Sequence, residues 1–427
     1  MEVAVIGAGA AGLTASWLLK RRGHSPIVFE STDEVGGRAK TVRFARDHHF
    51  DWGCARLASS YRETLALISA LGMREALIEE DVRSKAYLSE NGRLTKLPAA
   101  ETTPLLPFAP PKERIKGLLW MAGLYARRRT VVGRDGRDLR FDNISGEAHL
   151  AAGVGSTTAS VLSRTFESRL YSPLSETSAA ILRYMWRMLT SSRFYAISDG
   201  MDTLWKAVAS QLEVVTSSPL RHLRVTPGGR VELSFDGSKS RRFDACIVAA
   251  PVTRVRSLLE GVDLPSWVES VRYAPHVCLY AAREGSTNRA DVYAAEPDDE
   301  AVVVSRAADG WLRGRLPPRH AAAVVSASSE MSAYLIDSSD DKIEKTLWEH
   351  GSRADPDLFG LDKCHVVQVF KWPEAVPVFT PGLLTRIVSW QQRPPVVFAG
   401  DWLHSPCIEG AVRSALGAVA TIERGGS

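Results

Sequence analysis

Residues 1–30 constrain this chain more than any other stretch. Glu2-Val3-Ala4-Val5-Ile6 is apolar and β-rich, and it runs straight into Gly7-Ala8-Gly9-Ala10-Ala11-Gly12. A helical pattern follows from Leu13 to Arg22, then a second apolar run, Pro26-Ile27-Val28-Phe29, ending in Glu30. Strand, glycine turn, helix, strand and an acid 18 residues past the third glycine form the order of a dinucleotide-binding unit. Gly7 allows the tight turn, Gly9 lets a pyrophosphate approach the backbone, and Gly12 lets the helix pack close on the sheet. The helix N-terminus offers unpaired N–H groups and a partial positive charge to the phosphates, with Ala10 and Ala11 of the turn among the candidate cofactor-binding residues. Glu30 can accept hydrogen bonds from a ribose, and an acid there disfavours a 2′-phosphate, which argues against NADP.

The next residues are Ser31-Thr32-Asp33-Glu34-Val35-Gly36-Gly37-Arg38. An acid, a short spacer and Gly-Gly-Arg in this order resemble the flavin-containing amine oxidase and protoporphyrinogen oxidase superfamily. The resemblance implies non-covalently bound FAD, with Ser31 beside the acid, Gly36 and Gly37 passing close to the cofactor, and Arg38 forking onto a phosphate. It implies an α/β fold: a Rossmann-like FAD-binding domain with an inserted α+β substrate domain. The FAD-binding part would take residues 1–84, 195–262 and 395–427, and the substrate part 85–194 and 263–394.

Further segments carry the resemblance. Asp51-Trp52-Gly53 matches an Asp-x-Gly that lines the flavin cleft, although Asp51 also fits a turn-capping role. Ser198-Asp199-Gly200-Met201-Asp202-Thr203-Leu204 resembles the turn re-entering the FAD domain, and the Val225 backbone would meet the adenine. The apolar run Phe243 to Pro251 reads as one buried parallel strand that brings Ala250 beside the dinucleotide. Lys371-Trp372-Pro373-Glu374-Ala375-Val376-Pro377 resembles a protoporphyrinogen oxidase segment, leaving Trp372 as either a substrate-cavity wall or a core residue. At the carboxyl end, Gly400 and Asp401 follow a strand, and Ile408-Glu409-Gly410-Ala411 opens the last helix. Gly400, Asp401, Ile408, Glu409 and Ala411 would hold the ribityl–pyrophosphate junction and the flavin edge, where a helix N-terminus stabilises an anionic reduced ring.

Composition excludes several classes. The 427 residues are 45% hydrophobic and 24% charged, ordinary for a globular protein, and a net charge of +4 is too mild to argue for nucleic acid. Five cysteines, an odd number without a CxxC pair, argue against a disulfide framework or zinc site and suit a reducing compartment. Ten histidines show no HExxH, so no metal is expected; His48-His49 read as surface or strand residues. The start of the chain shows no basic leader, and no run approaches the ~18 apolar residues of a spanning helix. The expectation is a cytoplasmic monomer or homodimer.

The middle of the chain reads as mixed. Asn91-Gly92 signals a hairpin, Pro98 to Pro111 a loop, and helices are expected near Glu147, Ser160 to Glu167 and Glu176 to Leu189. Lys112 to Arg129 is a basic helix with Ile115, Leu118, Leu119, Trp120, Leu124 and Tyr125 as its apolar side. Burial in its own domain is the expected fate of that side, with peripheral membrane contact as the alternative. Strands follow near Val277, Val302, Ala322 and Val366, with a helix at Asp340 to His350.

By resemblance, the chemistry is hydride transfer from a substrate C–H to flavin N5, forming a C=N or C=C bond, with O2 as the expected acceptor. Two departures bear on the small-molecule substrate. Many amine oxidases place a lysine in the strand matching Tyr273 to Tyr280, which has none here, and an aromatic where this chain has Cys407. Both shift weight from a simple amine toward a larger apolar or cyclic molecule in a biosynthetic pathway. His404 and Cys407 fall near the flavin by motif position, as acid/base or packing groups. A carotenoid-type desaturase or isomerase, an amine or amino-acid oxidase, and a non-redox flavoprotein remain as alternatives.

Overall fold

The structure, a computed structural model, describes residues 1–45, 47–79, 87–90, 93–96, 109–126, 138–237, 239–285, 293–294, 303–307, 315–354, 358–359 and 364–425. Strands β1 (Glu2–Ile6) and β2 (Ser25–Phe29) flank the turn and helix α1 (Ala10–Arg21). They join a five-stranded parallel sheet in the order Glu213–Val215, β2, β1, Ala245–Val248, Val396–Phe398. Val3, Ala4 and Val5 are fully buried, as a parallel strand covered on both faces requires. Because the strands are parallel, their carboxyl ends share one edge. Gly7, Glu30, Ala249-Ala250 and Gly400-Asp401 all leave the sheet there, at the crevice where open α/β sheets bind ligands.

A second sheet runs Tyr293–Ala294, Val303–Ala307, His320–Ser326, Tyr273–Glu284, Cys364–Pro377, all antiparallel. Alternation along Tyr273–Glu284 splits its side chains. Val277, Leu279 and Ala281 join a cluster with helices Ser329–Leu335 and Asp340–Ala354, while Cys278, Tyr280 and Ala282 pack with Phe50. Phe50 belongs to the hairpin of β3 (Thr41–Ala45) and β4 (His48–Asp51). Helices α2 (Arg62–Ala70), α3 (Pro111–Ala126), α4 (Gly146–Val154), α5 (Ser156–Leu170) and α6 (Ala179–Ser191) lie between the hairpin and the return to the first sheet. Leu150, Phe166 and Trp186 from this helical segment share a continuous core with the first sheet.

Three expectations change. The Phe243–Pro251 run is not one strand: Phe243 ends an antiparallel strand, Arg241–Phe243, and the parallel strand starts at Ala245, with Asp244 between them accepting from the Glu2 N–H. His48 and His49 lie on β4 but are buried, because the second sheet covers the hairpin; His48 Nε2 pairs with Tyr280 Oη at 2.9 Å. Helix α6 starts at Ala179 rather than near Glu176, since the Ser178 hydroxyl caps it by accepting from the Ala180 N–H. Asn91-Gly92, Arg127 to Arg129 and most of the Pro98 to Pro111 loop lie outside the described residues; the strands flanking Asn91-Gly92, Tyr87–Glu90 and Arg93–Lys96, pair antiparallel. Among the described residues no helix is long and apolar enough to cross a membrane, and no group of three His, Cys, Asp or Glu side chains could hold a metal ion.

Candidate cofactor cleft

The glycine turn and the Gly-Gly-Arg loop touch. Gly9 bridges Gly36 in parallel, the Gly36 N–H donates to Ala8 O at 2.8 Å, and a Cβ on Gly37 would sit 3.1 Å from Gly9 Cα. Gly12 is obligatory, because a Cβ there would lie 1.9 Å from Gly7 O. At Gly9 the nearest obstacle to a Cβ is Gly37 Cα at 3.8 Å, so the turn leaves open space above its backbone. Helix α1 starts with neither a side-chain cap nor a first-turn acid, so the N–H groups of Ala10 and Ala11 keep their pull on an anion.

Glu30 closes one end. Its Oε2 accepts from the Ala8 N–H at 2.8 Å, and its Oε1 accepts from the Thr32 N–H at 3.0 Å and the Ser31 hydroxyl at 3.1 Å. Ser31 thus orients the acid. Ala250 abuts the turn, its nitrogen 3.2 Å from where a Gly7 Cβ would be. Val225 ends strand Leu220–Val225 of a separate four-stranded sheet, next to Gly261.

Arg38 is the hub of the other end. Its Nη2 donates to Asp401 Oδ1 at 2.7 Å, its Nη1 donates to Ala375 O at 2.9 Å, and the guanidinium lies 5.4 Å from the Tyr273 ring centroid. Burial works against the arginine's charge, but Asp401 more than offsets it and raises its pKa. Gly53 secures this loop: a Cβ there would meet Arg38 O at 1.7 Å, and the Cys54 N–H donates to that same oxygen. Gly400 has φ +155°, and its N–H donates to Ser414 Oγ, tying the strand end to the last helix, Ile408–Gly425. That helix opens on Ile408 and Ala411, both buried; a Cβ on Gly410 would meet Ser405 O at 2.0 Å.

Two acids expected at the cofactor are committed to the protein. Glu409 accepts from the N–H groups of Glu63 and Thr64 (3.1 and 3.0 Å), the Thr64 hydroxyl (2.8 Å) and Arg413 Nε (2.8 Å). Helix α2 has no side-chain cap of its own, and this carboxylate supplies one from across the fold. Asp51 Oδ1 accepts from the Thr41 hydroxyl and the Met201 N–H, with Arg315 Nη2 3.6 Å from Oδ2. It joins the hairpin to the Gly200 turn, so the capping alternative describes it better than a cleft-lining one.

Trp372 donates from Nε1 to Trp52 O at 3.1 Å and stacks on Trp52 with centroids 4.2 Å apart. Beside the last helix, His404 Nδ1 meets Ser405 Oγ at 2.9 Å, Ser405 Oγ lies 3.4 Å from Cys407 Sγ, and the Tyr184 ring stands edge-on to His404 at 6.2 Å. Burial of the Cys407 thiol outweighs the Ser405 hydroxyl, the Gly410 N–H and Tyr61, which all pull its pKa down. Burial pushes the Cys54 thiol up to about 12 and raises Cys407, Tyr61 and Tyr184. These groups keep their protons at neutral pH, so Cys407 is no ready base.

Two donors escaped the sequence. Trp52 Nε1–H and the Tyr273 hydroxyl are buried and have no hydrogen-bond partner among the described residues. Trp52 was visible inside Asp-x-Gly; nothing in the pattern marked Tyr273. The orphaned Tyr273 hydroxyl, on the ring against the Arg38 guanidinium, together with the open glycine cradle, is what a phosphate- and carbonyl-bearing cofactor would satisfy, and FAD fits.

The profile of the family described as flavin containing amine oxidoreductase matches residues 10–422. The chain belongs to that family, whose members are FAD-dependent oxidoreductases. Among solved structures, a putative protoporphyrinogen oxidase from Exiguobacterium sp. 255-15 superposes with a TM-score of 0.79 at 16% identity, covering 99% of this chain and 98% of that one. Cyclohexylamine oxidase from Brevibacterium oxydans IH-35A gives 0.78 at 17%, with the same coverage. At these identities the likeness is one of fold. A flavin-containing amine oxidase of Oncorhynchus mykiss is 37% identical over 87 residues, 20% of this chain and 17% of the relative, so the match spans less than a fifth of that protein's length.

Proposed function

We propose that this protein oxidises a C–H bond of an uncharged, apolar or cyclic small molecule to a C=N or C=C bond, with O2 as final acceptor. Bound FAD would supply the hydride acceptor, flavin N5. The chain's part is to hold, orient and dry. Gly9, Gly37 and the start of α1 would carry the pyrophosphate, Glu30 the ribose, and Arg38 with Asp401 the junction toward the ring.

The observation carrying the substrate class is the set of neutral groups around Cys407, where the charges of Glu409 and Arg413 are spent on each other and on the start of α2. Tyr61, Tyr184, Cys54 and Cys407 are all held protonated by burial. Strand Tyr273–Glu284 carries no lysine, and Lys371 on the neighbouring strand is turned to Asp340 and the Ser338 carbonyl. A dry, uncharged wall favours an apolar substrate over an ammonium ion, whose desolvation it would not repay. The test is an anaerobic screen of the flavin-loaded protein, following loss of the oxidised band near ~450 nm. Uncharged cyclic compounds should bleach it and alkylammonium compounds should not; the opposite order would overturn the reading.

A further inference from the structure

Helix α3 is apolar on two opposite faces, and only one is used by the fold. Glu113 faces inward, accepting from the Thr158 N–H at 3.0 Å and the Thr158 hydroxyl at 3.2 Å on α5. Trp120 stands edge-on to Trp186 of α6 at 4.7 Å and donates from Nε1 to His149 Nε2 at 3.2 Å, and Leu124 is buried. The other face points to water. Ile115 is 60% exposed, Leu118 49% and Leu119 69%. With exposed Ala122 they occupy i, i+3, i+4 and i+7, a continuous stripe along the helix. The sequence-based expectation that these residues bury in their own domain therefore fails for half the set. Trp120 and Leu124 already satisfy the core, and a helix cannot turn both faces inward.

Three of the seven large hydrophobic side chains exposed among the described residues fall on this one stripe. Clustering of that kind marks a docking surface rather than scatter. The borders are basic: Lys112 and Lys116 are exposed along one side, and Arg114 is half-buried on the other. The only acid of the helix, Glu113, is turned in. In sequence, Arg127-Arg128-Arg129 follows directly. A second copy of this chain is disfavoured as the occupant, since a two-fold contact would bring the same lysines together.

We infer that the outer face of α3 seats the protein on an anionic bilayer, with Ile115, Leu118 and Leu119 in the acyl boundary and Lys112 and Lys116 among the headgroups. At 16 residues the helix lies in the interface plane and does not span it. This surface is independent of which substrate the cleft takes.

The experiment uses the full-length, flavin-loaded protein in co-sedimentation with phosphatidylcholine vesicles, with and without phosphatidylglycerol. Binding should appear with the anionic vesicles and fall as salt is raised. Lys112→Gln and Lys116→Gln should each weaken it by about fivefold, and Leu119→Glu should abolish it, all with the flavin spectrum of the parent. Equal binding to neutral vesicles, or anionic binding that survives both Leu119→Glu and Lys116→Gln, would overturn the assignment. So would a parent dimer in solution that Leu119→Glu converts to monomer, which would give the face to a second copy.

Discussion

Arg38 and Asp401 are 363 positions apart in the chain and share a charge-assisted hydrogen bond of 2.7 Å. The pair ties the Gly-Gly-Arg loop to the end of strand Val396–Phe398. The Asp401 side chain is 10% exposed and the Arg38 side chain 30%. Asp401→Asn keeps the shape but removes the charge, leaving the arginine underpaid in partners. It should cost about 1–3 kcal/mol of stability and lower FAD retention. Thermal unfolding and the flavin-to-protein ratio after gel filtration check both. An unchanged melting temperature and full flavin content would show the pair to be dispensable.

Glu409 makes the opposite prediction. Its carboxylate is 1% exposed and caps α2, so its loss should strike stability before the cofactor. Glu409→Ala leaves the first N–H groups of α2 and Arg413 without their acceptor. We expect a loss of about 2–4 kcal/mol, read as a lower urea midpoint, while protein that remains folded keeps the parent flavin spectrum. A spectral shift with undiminished stability would return Glu409 to the cofactor.

How much of this was readable in the chain follows from the range of each interaction. The first motif was legible because its parts are consecutive: Gly7, Gly9 and Gly12 serve a turn, a cradle and a helix contact within one βαβ unit. Gly53 was placed by its motif, but its physical reason was not, since the carbonyl that excludes a Cβ belongs to Arg38 in another loop. Motif position sets Glu409 and Asp51 near the cofactor, with turn capping open for Asp51, but it does not report where a side chain turns. Their donors, Thr64 and Met201, are 345 and 150 positions away. The two faces of α3 are not separable in sequence, because an apolar helix face has the same periodicity whether it meets a core or solvent.

Buried histidines set the acid limit. Burial, and then His365 and His320, lower His48 to about 4; burial alone lowers His276 to about 3. Unfolded, each would titrate near ~6.5. The folded pKa lies below the unfolded one, so on acidification the unfolded chain takes up protons first. The full stability is present above pH ~6.5 and is lost progressively as pH falls toward the folded values, on the order of 3 kcal/mol for each ring by pH ~4. Urea midpoints measured from neutral pH down to about pH 4 should fall steadily. His276→Phe, which preserves the stack on Tyr171, should flatten that slope; an unaltered slope would locate the acid sensitivity elsewhere.

The two orphaned donors give the most direct reading of what the cleft is built for. A buried hydroxyl or indole N–H without an acceptor costs about 1–3 kcal/mol, and both Tyr273, against the Arg38 guanidinium, and Trp52, in the stack with Trp372, carry that cost. Such a cost is tolerated where a bound group repays it. Tyr273→Phe removes the hydroxyl and leaves the ring under the guanidinium, so the apoprotein should be as stable as the parent or slightly more so. FAD binding should weaken by about tenfold, the loss of one good hydrogen bond, and the flavin absorption should shift. Trp52→Phe retains an aromatic face for Trp372 and should behave likewise. Titration of the apoproteins with FAD, followed by flavin fluorescence, compares the three directly. If both variants bind FAD as the parent does, the two donors face something other than the cofactor, and the substrate becomes the group they await.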